Sequence, residues 1–311
     1  MNVLITGGAG YIGSVLVPIL LKKKFNVTVL DNFLFKQNSI QKLEQNINFK
    51  IVKGDVRDQK IVKELLSKAD LIIPLAALVG APLCDKFPKD AKEVNLESIS
   101  FLNSNLSKEQ YVILPVSNSG YGIGKPGEFC TEKSPLNPIS LYGRTKVQSE
   151  TIIMERENSV SFRLATVFGM SPRMRIDLLV NYFVNKAITE KKIEIFEGNF
   201  KRNYVHIKDV ANVFNFTIDN FDKMKSNTFN FGLENANFSK IELAEKIKVY
   251  VKDFEIIISE TGTDPDKRDY IVSNKKILET GYEFENDLDH GIKELISELP
   301  KLSKEINYSN V

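Results

Sequence analysis

The segment Val3-Leu-Ile-Thr-Gly-Gly-Ala-Gly-Tyr-Ile-Gly13 constrains the chain more than any other. Val3 to Thr6 are apolar or β-branched and predict a short strand. Gly8, Gly10 and Gly13 follow at G-x-G-x-x-G spacing, and Gly7 adds a looser G-x-x-G-x-x-G. A helical run, Ser14 to Lys22, comes next. A glycine loop placed between strand and helix makes a tight turn, lets the backbone approach a pyrophosphate and packs the helix on the strand. The helix start adds free N–H groups and the positive end of the dipole. A second strand, Asn26 to Leu30, ends in Asp31, 18 residues after Gly13. That is the distance at which an acidic residue meets an adenosine ribose. The reading is a parallel α/β fold that binds a dinucleotide.

The first 170 residues support it. Strand-like runs at 2–6, 26–30, 48–52, 70–75, 110–116 and 160–165 alternate with helix-like runs at 12–23, 38–45, 58–67, 90–107 and 141–157. Such alternation predicts a doubly wound, Rossmann-type parallel sheet with helices on both faces. Leu71-Ile-Ile-Pro-Leu75 is apolar throughout, as a strand buried on both faces must be. Beyond residue 170 the pattern loosens. Helices are expected at 174–191, 208–220, 239–250 and 287–299, and short strands at 193–196, 203–207, 228–231 and 254–258. The expected division is a dinucleotide-binding domain at 1–169, with 203–231 returning to it, and a smaller α/β substrate lobe at 170–202 and 232–311. The charged tail 300–311 is expected to fray.

Net charge is +2, which gives no sign of a nucleic acid or an anionic membrane as partner. Two cysteines, Cys84 and Cys130, are too few for a disulfide framework or a structural zinc site, and no metal cluster is expected. No apolar run reaches the length of a membrane span. The first strand starts at residue 2, leaving no room for a signal peptide. A protein of the reducing cytoplasm is the expectation.

Tyr142-Gly-Arg-Thr-Lys146 opens the helix at 141–157. Residues i and i+4 share a face, so phenol and ammonium point the same way. A neighbouring lysine favours the phenolate, which predicts a lowered pKa and a usable base. The strand 110–116 runs into Ser117, followed by Asn-Ser-Gly-Tyr-Gly122. A hydroxyl at the C-terminal end of a parallel strand lies where α/β folds place chemistry.

With these residues the chain resembles the extended short-chain dehydrogenase/reductases of the NAD-dependent epimerase/dehydratase family. The motifs are Gly7 to Gly13, Asp31-Asn32, Gly54-Asp-Val-Arg-Asp58, Leu75-Ala-Ala77, Asn95, Ser117 to Gly122, Tyr142 to Lys146, Arg163 to Gly169 and Arg202-Asn-Tyr-Val-His206. Together they cover nearly the whole chain. The resemblance implies an enzyme acting on a nucleotide sugar with NAD as cofactor. It implies Tyr142 as base and acid, Lys146 on the nicotinamide ribose, and Ser117 on the reacting hydroxyl. Gly7, Gly10, Tyr11, Ile12 and Gly13 would hold the pyrophosphate, Asp31 and Asn32 the ribose, Asp55 and Val56 the adenine. Ala76 and Ala77 would lie along the cofactor. Val79, Cys84, Ser119, Arg175, Asn181, Arg202 and Arg268 would meet the substrate, and His206 and Asn95 would be structural. A homodimer through the helices 90–107 and 141–157 is implied as well. Val94, Ile99, Phe101 and Leu102 on the first, and Val147, Ile152, Ile153 and Met154 on the second, are apolar at helical spacing.

Family members that eliminate water carry Asp-Glu directly after the catalytic Ser or Thr. Here Asn118 and Ser119 stand there. An amide cannot exchange a proton with a departing hydroxyl, so dehydration is disfavoured. Oxidation at C4 is expected instead, as a 4-epimerase, a 4-dehydrogenase or, run backwards, a 4-ketoreductase. A cofactor-sensing relative without catalysis is the rival from another class, and the Tyr/Lys pair weighs against it. The runs Ala77 to Cys84, Asn118 to Gly124 and Asp264 to Tyr270 resemble those of GDP-heptose 4-dehydrogenases of bacterial capsule pathways.

Overall fold

The computed structural model describes residues 1–259, 268–303 and 308–310. Seven strands, Asn2–Thr6, Asn26–Asp31, Phe49–Lys53, Leu71–Pro74, Tyr111–Ser117, Ser159–Leu164 and Asn227–Phe231, form one sheet. All six pairings between them are parallel. They lie side by side in the order of starts 227, 159, 111, 71, 2, 26, 49. The order reverses between Asn2–Thr6 and Leu71–Pro74, and at such a reversal a crevice opens beyond the strand C-termini. The expected Rossmann-type sheet is therefore present.

Alternation along the strands builds the two faces. Val3, Ile5, Val27, Val29, Leu71, Ile73 and Ile113 pack in one cluster with Leu16, Val17 and Leu20 of helix Gly13–Lys22 and Val210 and Phe214 of helix Ile207–Asp219. Their neighbours Leu4, Leu30, Ile72, Val112 and Leu114 pack on the other face with Val62 and Leu65 of helix Gln59–Leu66, Ile99 and Leu102 of helix Ser98–Asn105, and Ile153. A third cluster, around Phe168, Val180, Phe183, Ile193, Tyr204, Leu243, Ile292 and Leu295, forms the core of the later segments. Among the described residues, three small sheets complete the fold. Lys201–His206 lies between Thr166–Phe168 and Asn237–Ser239, Lys192–Phe196 pairs with Glu255–Ser259, and Phe129–Cys130 pairs with Ile271–Val272.

Several elements differ from expectation. The helix expected at 38–45 is one 3-10 turn, Gln41–Gln45, with no buried residue of its own and so no apolar face to hold a longer helix. The helix expected at 90–107 is interrupted by a π turn at Glu93–Glu97, between Pro88–Lys92 and Ser98–Asn105. The helix expected at 174–191 starts at Leu179, leaving the residues before it as a loop. Residues 308–310 of the tail are docked, not frayed. The Tyr308 carbonyl accepts from the Ile176 N–H at 2.9 Å, and Asn310 accepts from Arg173 at 2.8 Å.

Candidate functional site

The glycine loop leaves no space for side chains. Gly7 has φ +71°, and a Cβ there would lie 2.5 Å from the Ala76 nitrogen. A Cβ on Gly13 would lie 2.4 Å from the Gly8 carbonyl oxygen. The loop is thus closed against the segment after strand Leu71–Pro74, on the near side of the crevice. Helix Gly13–Lys22 has no side-chain cap at its start, so its dipole end is left for an anion. Such a backbone cradle suits a pyrophosphate. Ala76 itself is held by its N–H to Thr6 Oγ1 at 3.4 Å.

The Tyr11 ring points away from that cradle. Its hydroxyl donates to the Gly169 carbonyl at 2.6 Å and accepts from Asn181 at 3.2 Å. Ser171 Oγ donates to the Tyr11 carbonyl at 2.8 Å. The loop is therefore stitched to segment 169–173, and Tyr11 is left only its backbone to offer a cofactor. Asp31 ends its strand as expected and is buried. Its carboxylate accepts from the N–H groups of Ala9 at 3.0 Å and Phe33 at 2.8 Å, and from Gln37 at 3.1 Å. A carboxylate has about four acceptor positions, so one remains for a ribose hydroxyl. Asn32 donates to Asp55 at 3.1 Å. Arg57 pairs with Asp55 as well, and its hydrogen bonds hold that carboxyl down to about 2. Asp55 is thus a fixed anion at the edge of the site, tied through Arg57 to Asp90 and Glu93. Val56 is partly buried against the second face of the sheet.

Ser140 caps helix Leu141–Met154, its hydroxyl accepting from the Gly143 N–H at 3.0 Å. Gly143 lets that helix close on the turn Asn118–Tyr121, because a Cβ there would lie 3.1 Å from the Ser119 carbonyl oxygen. The Tyr142 phenol lies within interaction range of the Ser117 hydroxyl. Lys146, one turn on, is 7% exposed. The expected lowering of the Tyr142 pKa by Lys146 is not found. Burial dominates and pushes the phenol up to about 12, against opposing pulls from Arg268, the Ser117 hydroxyl and Arg175. Burial also brings the Lys146 ammonium down to about 8. Both groups have lost water, and that loss outweighs their local partners.

The substrate-side residues divide. Arg175 and Arg268 both lie within electrostatic reach of Tyr142. Arg175 is neutralised by Asp177. Arg268 is brought in by a bridge of Asp269 to Ile123, just past the Ser117 turn, and its guanidinium lies 3.4 Å from the Tyr270 hydroxyl. Arg202 is 3% exposed, donates to the Lys201 carbonyl at 2.9 Å, and shares the surroundings of Tyr204 with Arg268. Ser119 is buried beside Ser117, and Val79 is half-buried after the Ala76-Ala77 pair. Residues 264–267 of the Asp264 to Tyr270 run lie outside the described residues.

Two of the expected substrate residues, Asn181 and Cys84, are buried. Asn181 has no exposed surface, and its amide is used within the protein. Its oxygen accepts from the Gly169 N–H at 3.0 Å, and its nitrogen donates to Tyr11 and to the Arg175 carbonyl at 2.8 Å. It braces the loops under the site. Cys84 is likewise fully buried, with its thiol on the Leu78 carbonyl at 3.3 Å. Burial pushes that thiol up to about 11. It lies within electrostatic reach of Lys146. Asn95 clamps Leu78 from the π turn, accepting from its N–H at 2.8 Å and donating to its carbonyl at 2.9 Å.

The sequence reading missed the support behind the Ser117 turn. Arg163 and Glu150 form a buried ion pair at 2.8 Å. Arg163 also donates to the Tyr121 hydroxyl at 3.0 Å, and Tyr121 donates to Asn230 at 2.6 Å. An R-x-D pattern at 175–177 was a readable sign of the Arg175–Asp177 pair, but nothing in spacing joins residues 121, 150, 163 and 230. A surface hollow lined by Leu233, Tyr282, Phe284 and His290 shares no residue with this site.

A glycine cradle with an acidic strand end, facing a Ser–Tyr–Lys group across the strand C-termini, defines a dinucleotide-dependent oxidoreductase-type site. The chain belongs to the NAD dependent epimerase/dehydratase family, whose model matches residues 3–232. A UDP-glucose 4-epimerase of Lactobacillus helveticus is 29% identical over 273 residues, 80% of this chain and 81% of that protein. A dTDP-D-glucose 4,6-dehydratase of Dictyostelium discoideum is 28% identical over 79% of this chain, which spans 61% of that relative's length. The structure of a UDP-glucose 4-epimerase from Thermotoga maritima with UDP-glucose has a TM-score of 0.83 and 24% identity, covering 97% of this chain and 99% of that one. NAD is the cofactor the family uses, and the glycine loop and Asp31 fit it.

Proposed function

We propose that this enzyme oxidises a nucleotide-diphosphate sugar at C4, as a 4-epimerase or a 4-dehydrogenase. One observation carries the reading: the Ser117 hydroxyl, at the end of a parallel strand on the same edge as the glycine loop, lies within interaction range of the Tyr142 phenol. Ser117 holds the C4 hydroxyl and Tyr142 takes its proton. NAD, when bound, accepts the hydride from C4. Lys146 holds the nicotinamide ribose. Gly7, Gly10, Tyr11, Ile12 and Gly13 meet the pyrophosphate by backbone, Asp31 and Asn32 the ribose, Asp55 and Val56 the adenine, and Ala76 and Ala77 the cofactor's length. Val79, Ser119, Arg175, Arg202 and Arg268 receive the sugar and its diphosphate, for which guanidinium forks are suited. A 4-keto sugar that is reduced again on its other face gives an epimer; one that leaves makes the enzyme a dehydrogenase.

Elimination of water is disfavoured because Asn118 and Ser119 follow Ser117. Neither supplies the acid that a departing hydroxyl needs. The resemblance to GDP-heptose 4-dehydrogenases supports a GDP-heptose as the candidate substrate. The same reading puts the cofactor lobe at 1–169 with 203–231, the substrate lobe at 170–202 and 232–311, and the protein in the cytoplasm. None of the described helices is long and apolar enough to cross a membrane. We place a homodimer on helices Ser98–Asn105 and Leu141–Met154. Ile99, Leu102 and Ile153 are used by the chain's own core and Phe101 packs against it, which leaves the half-buried Val147 and Ile152 for that contact.

Incubation with UDP- and GDP-linked sugars, GDP-heptose among them, tests the reading by product mass. A keto product lighter by two hydrogens, or an epimer of equal mass, is expected. A product lacking one water would replace it with dehydration.

A further inference from the structure

Residues 269–272 lie alongside the chain that leaves the Ser117 turn. Ile271–Val272 pairs with Phe129–Cys130, the Tyr270 ring meets the Tyr121 ring edge-on at 6.1 Å, and Asp269 bridges to Ile123. The Asp269 N–H donates to the Gly122 carbonyl at 3.2 Å, and the Asp269 carbonyl accepts from the Gly124 N–H at 2.7 Å. Gly124 permits this closeness, since a Cβ there would lie 3.2 Å from the Tyr270 Cβ. Arg268 stands directly before the anchored strip.

The Asp269 side chain reaches the other way. Its carboxylate accepts from the Lys201 N–H at 2.8 Å. The Lys201 carbonyl accepts from the Arg202 guanidinium at 2.9 Å and from the Tyr270 N–H at 3.4 Å. The Lys201 backbone therefore joins two arginines, Arg202 at its carbonyl and Arg268 by way of Asp269. Both guanidinium groups act on Tyr204, and Arg268 acts on Tyr142 as well.

We propose that Asp269 is a positioning residue: through Lys201 it sets the spacing of Arg202 and Arg268, the pair that receives the diphosphate of the nucleotide sugar. This rests on the nucleotide-sugar reading above. Two phosphates joined by one oxygen are met together only by two forks held at a matching separation, and holding the forks beforehand removes an ordering cost from binding. Arg202 is buried on the middle strand of its sheet, so its place is set by the fold. Arg268 lies on no strand, so its place depends on the residue that follows it. What Asp269 contributes is an acceptor at a fixed point. Its negative charge is incidental, because the Lys201 N–H is neutral.

The test uses the full-length, NAD-loaded enzyme. Calorimetric binding of UDP, dTDP and GDP is read first, then KM and kcat with the nucleotide sugar that is converted. Wild type should bind at least one of these diphosphates. Asp269→Ala should weaken that binding about tenfold, as loss of a hydrogen bond to a charged acceptor does. KM should rise in step while kcat stays within about twofold, the mark of lost uniform binding. Asp269→Asn keeps the acceptor and should match wild type. Asp269→Glu keeps the charge but displaces the acceptor, and should behave like Asp269→Ala; it carries the same comparison should the alanine variant not fold. In an Arg268→Ala background, Asp269→Ala should cost less than in wild type. Unchanged diphosphate affinity in Asp269→Ala and Asp269→Glu would overturn the proposal, as would an Asp269→Asn as weak as Asp269→Ala. A fall in Tm and kcat with diphosphate affinity intact would show a purely structural clamp and overturn it too. If wild type binds none of the three diphosphates, the nucleotide-sugar reading itself fails, and the positioning role with it.

Discussion

The loop at 7–13 and the turn at 117–122 both leave the C-terminal ends of parallel strands, yet they are built in opposite ways. In the first, missing side chains do the work. Gly7 and Gly13 let backbone touch backbone at distances no Cβ permits. In the second, side chains do the work, and their setting comes from elsewhere in the chain. Tyr121 is held by Arg163 and Asn230, Arg163 by Glu150, and Ser117 by the Ser119 N–H. The first loop serves a cofactor whose pyrophosphate never varies. The second, on the proposed reading, serves the sugar, and it keeps buried polar atoms unpaired. A constant ligand is met by shape, whereas a variable one is met by side chains held ready at a cost in stability.

The largest effect should come from behind the turn. Glu150→Gln leaves Arg163 buried beside a neutral amide, and breaking such a pair costs about 3–5 kcal/mol. Urea unfolding should show that loss, and turnover should fall while NAD stays bound. NAD loss in step with turnover would break the comparison, because the two loops would then be one unit.

Lys146→Met sharpens it on the catalytic helix. The Lys146 pKa falls from its usual value to about 8 on folding, so below pH 8 both folded and unfolded chains carry the proton and the folded one bears the desolvation cost. That cost is on the order of 3 kcal/mol at neutral pH. Between about pH 8 and 10 the unfolded chain holds more protons, so wild-type stability should rise with pH. The variant should be more stable at pH 7, lack that rise, and be inactive. Equal pH slopes in both proteins, by thermal unfolding, would contradict the assignment.

Gly13→Ala should have the smallest effect on folding, about 1–3 kcal/mol of overpacking, and a large one on NAD. Calorimetric NAD binding should weaken strongly while the fold persists. Unaltered NAD affinity would show that the close approach at Gly13 is not part of the cradle.

This contrast also explains what could be read beforehand. The glycine loop, Asp31, the strand of four buried residues at 71–74 and the Tyr142–Lys146 spacing depend on local pattern, and the sequence displays them. The turn's support does not, since Tyr121, Glu150, Arg163 and Asn230 meet only once the sheet is assembled. Asn181 and Cys84 were legible as polar residues near the site but not as buried and self-satisfied ones. Their role depends on which way they face, and residue identity does not encode that. The Tyr142 pKa was misjudged for the same reason: the ammonium at i+4 is visible in sequence, but the burial that outweighs it is not. Very short strands such as Thr166–Phe168 and Ile271–Val272 exist because a partner strand is there, and carry no pattern of their own.

The central claim is that Tyr142 takes the proton as the C4 hydroxyl of a nucleotide sugar is oxidised. Single-turnover absorbance of the reduced nicotinamide, after mixing NAD-loaded enzyme with the converted sugar, reads that step directly. Wild type should show the reduced form, and Tyr142→Phe should slow its appearance by about 10³-fold with NAD and sugar still bound. Reduction by Tyr142→Phe at a near wild-type rate would contradict the account.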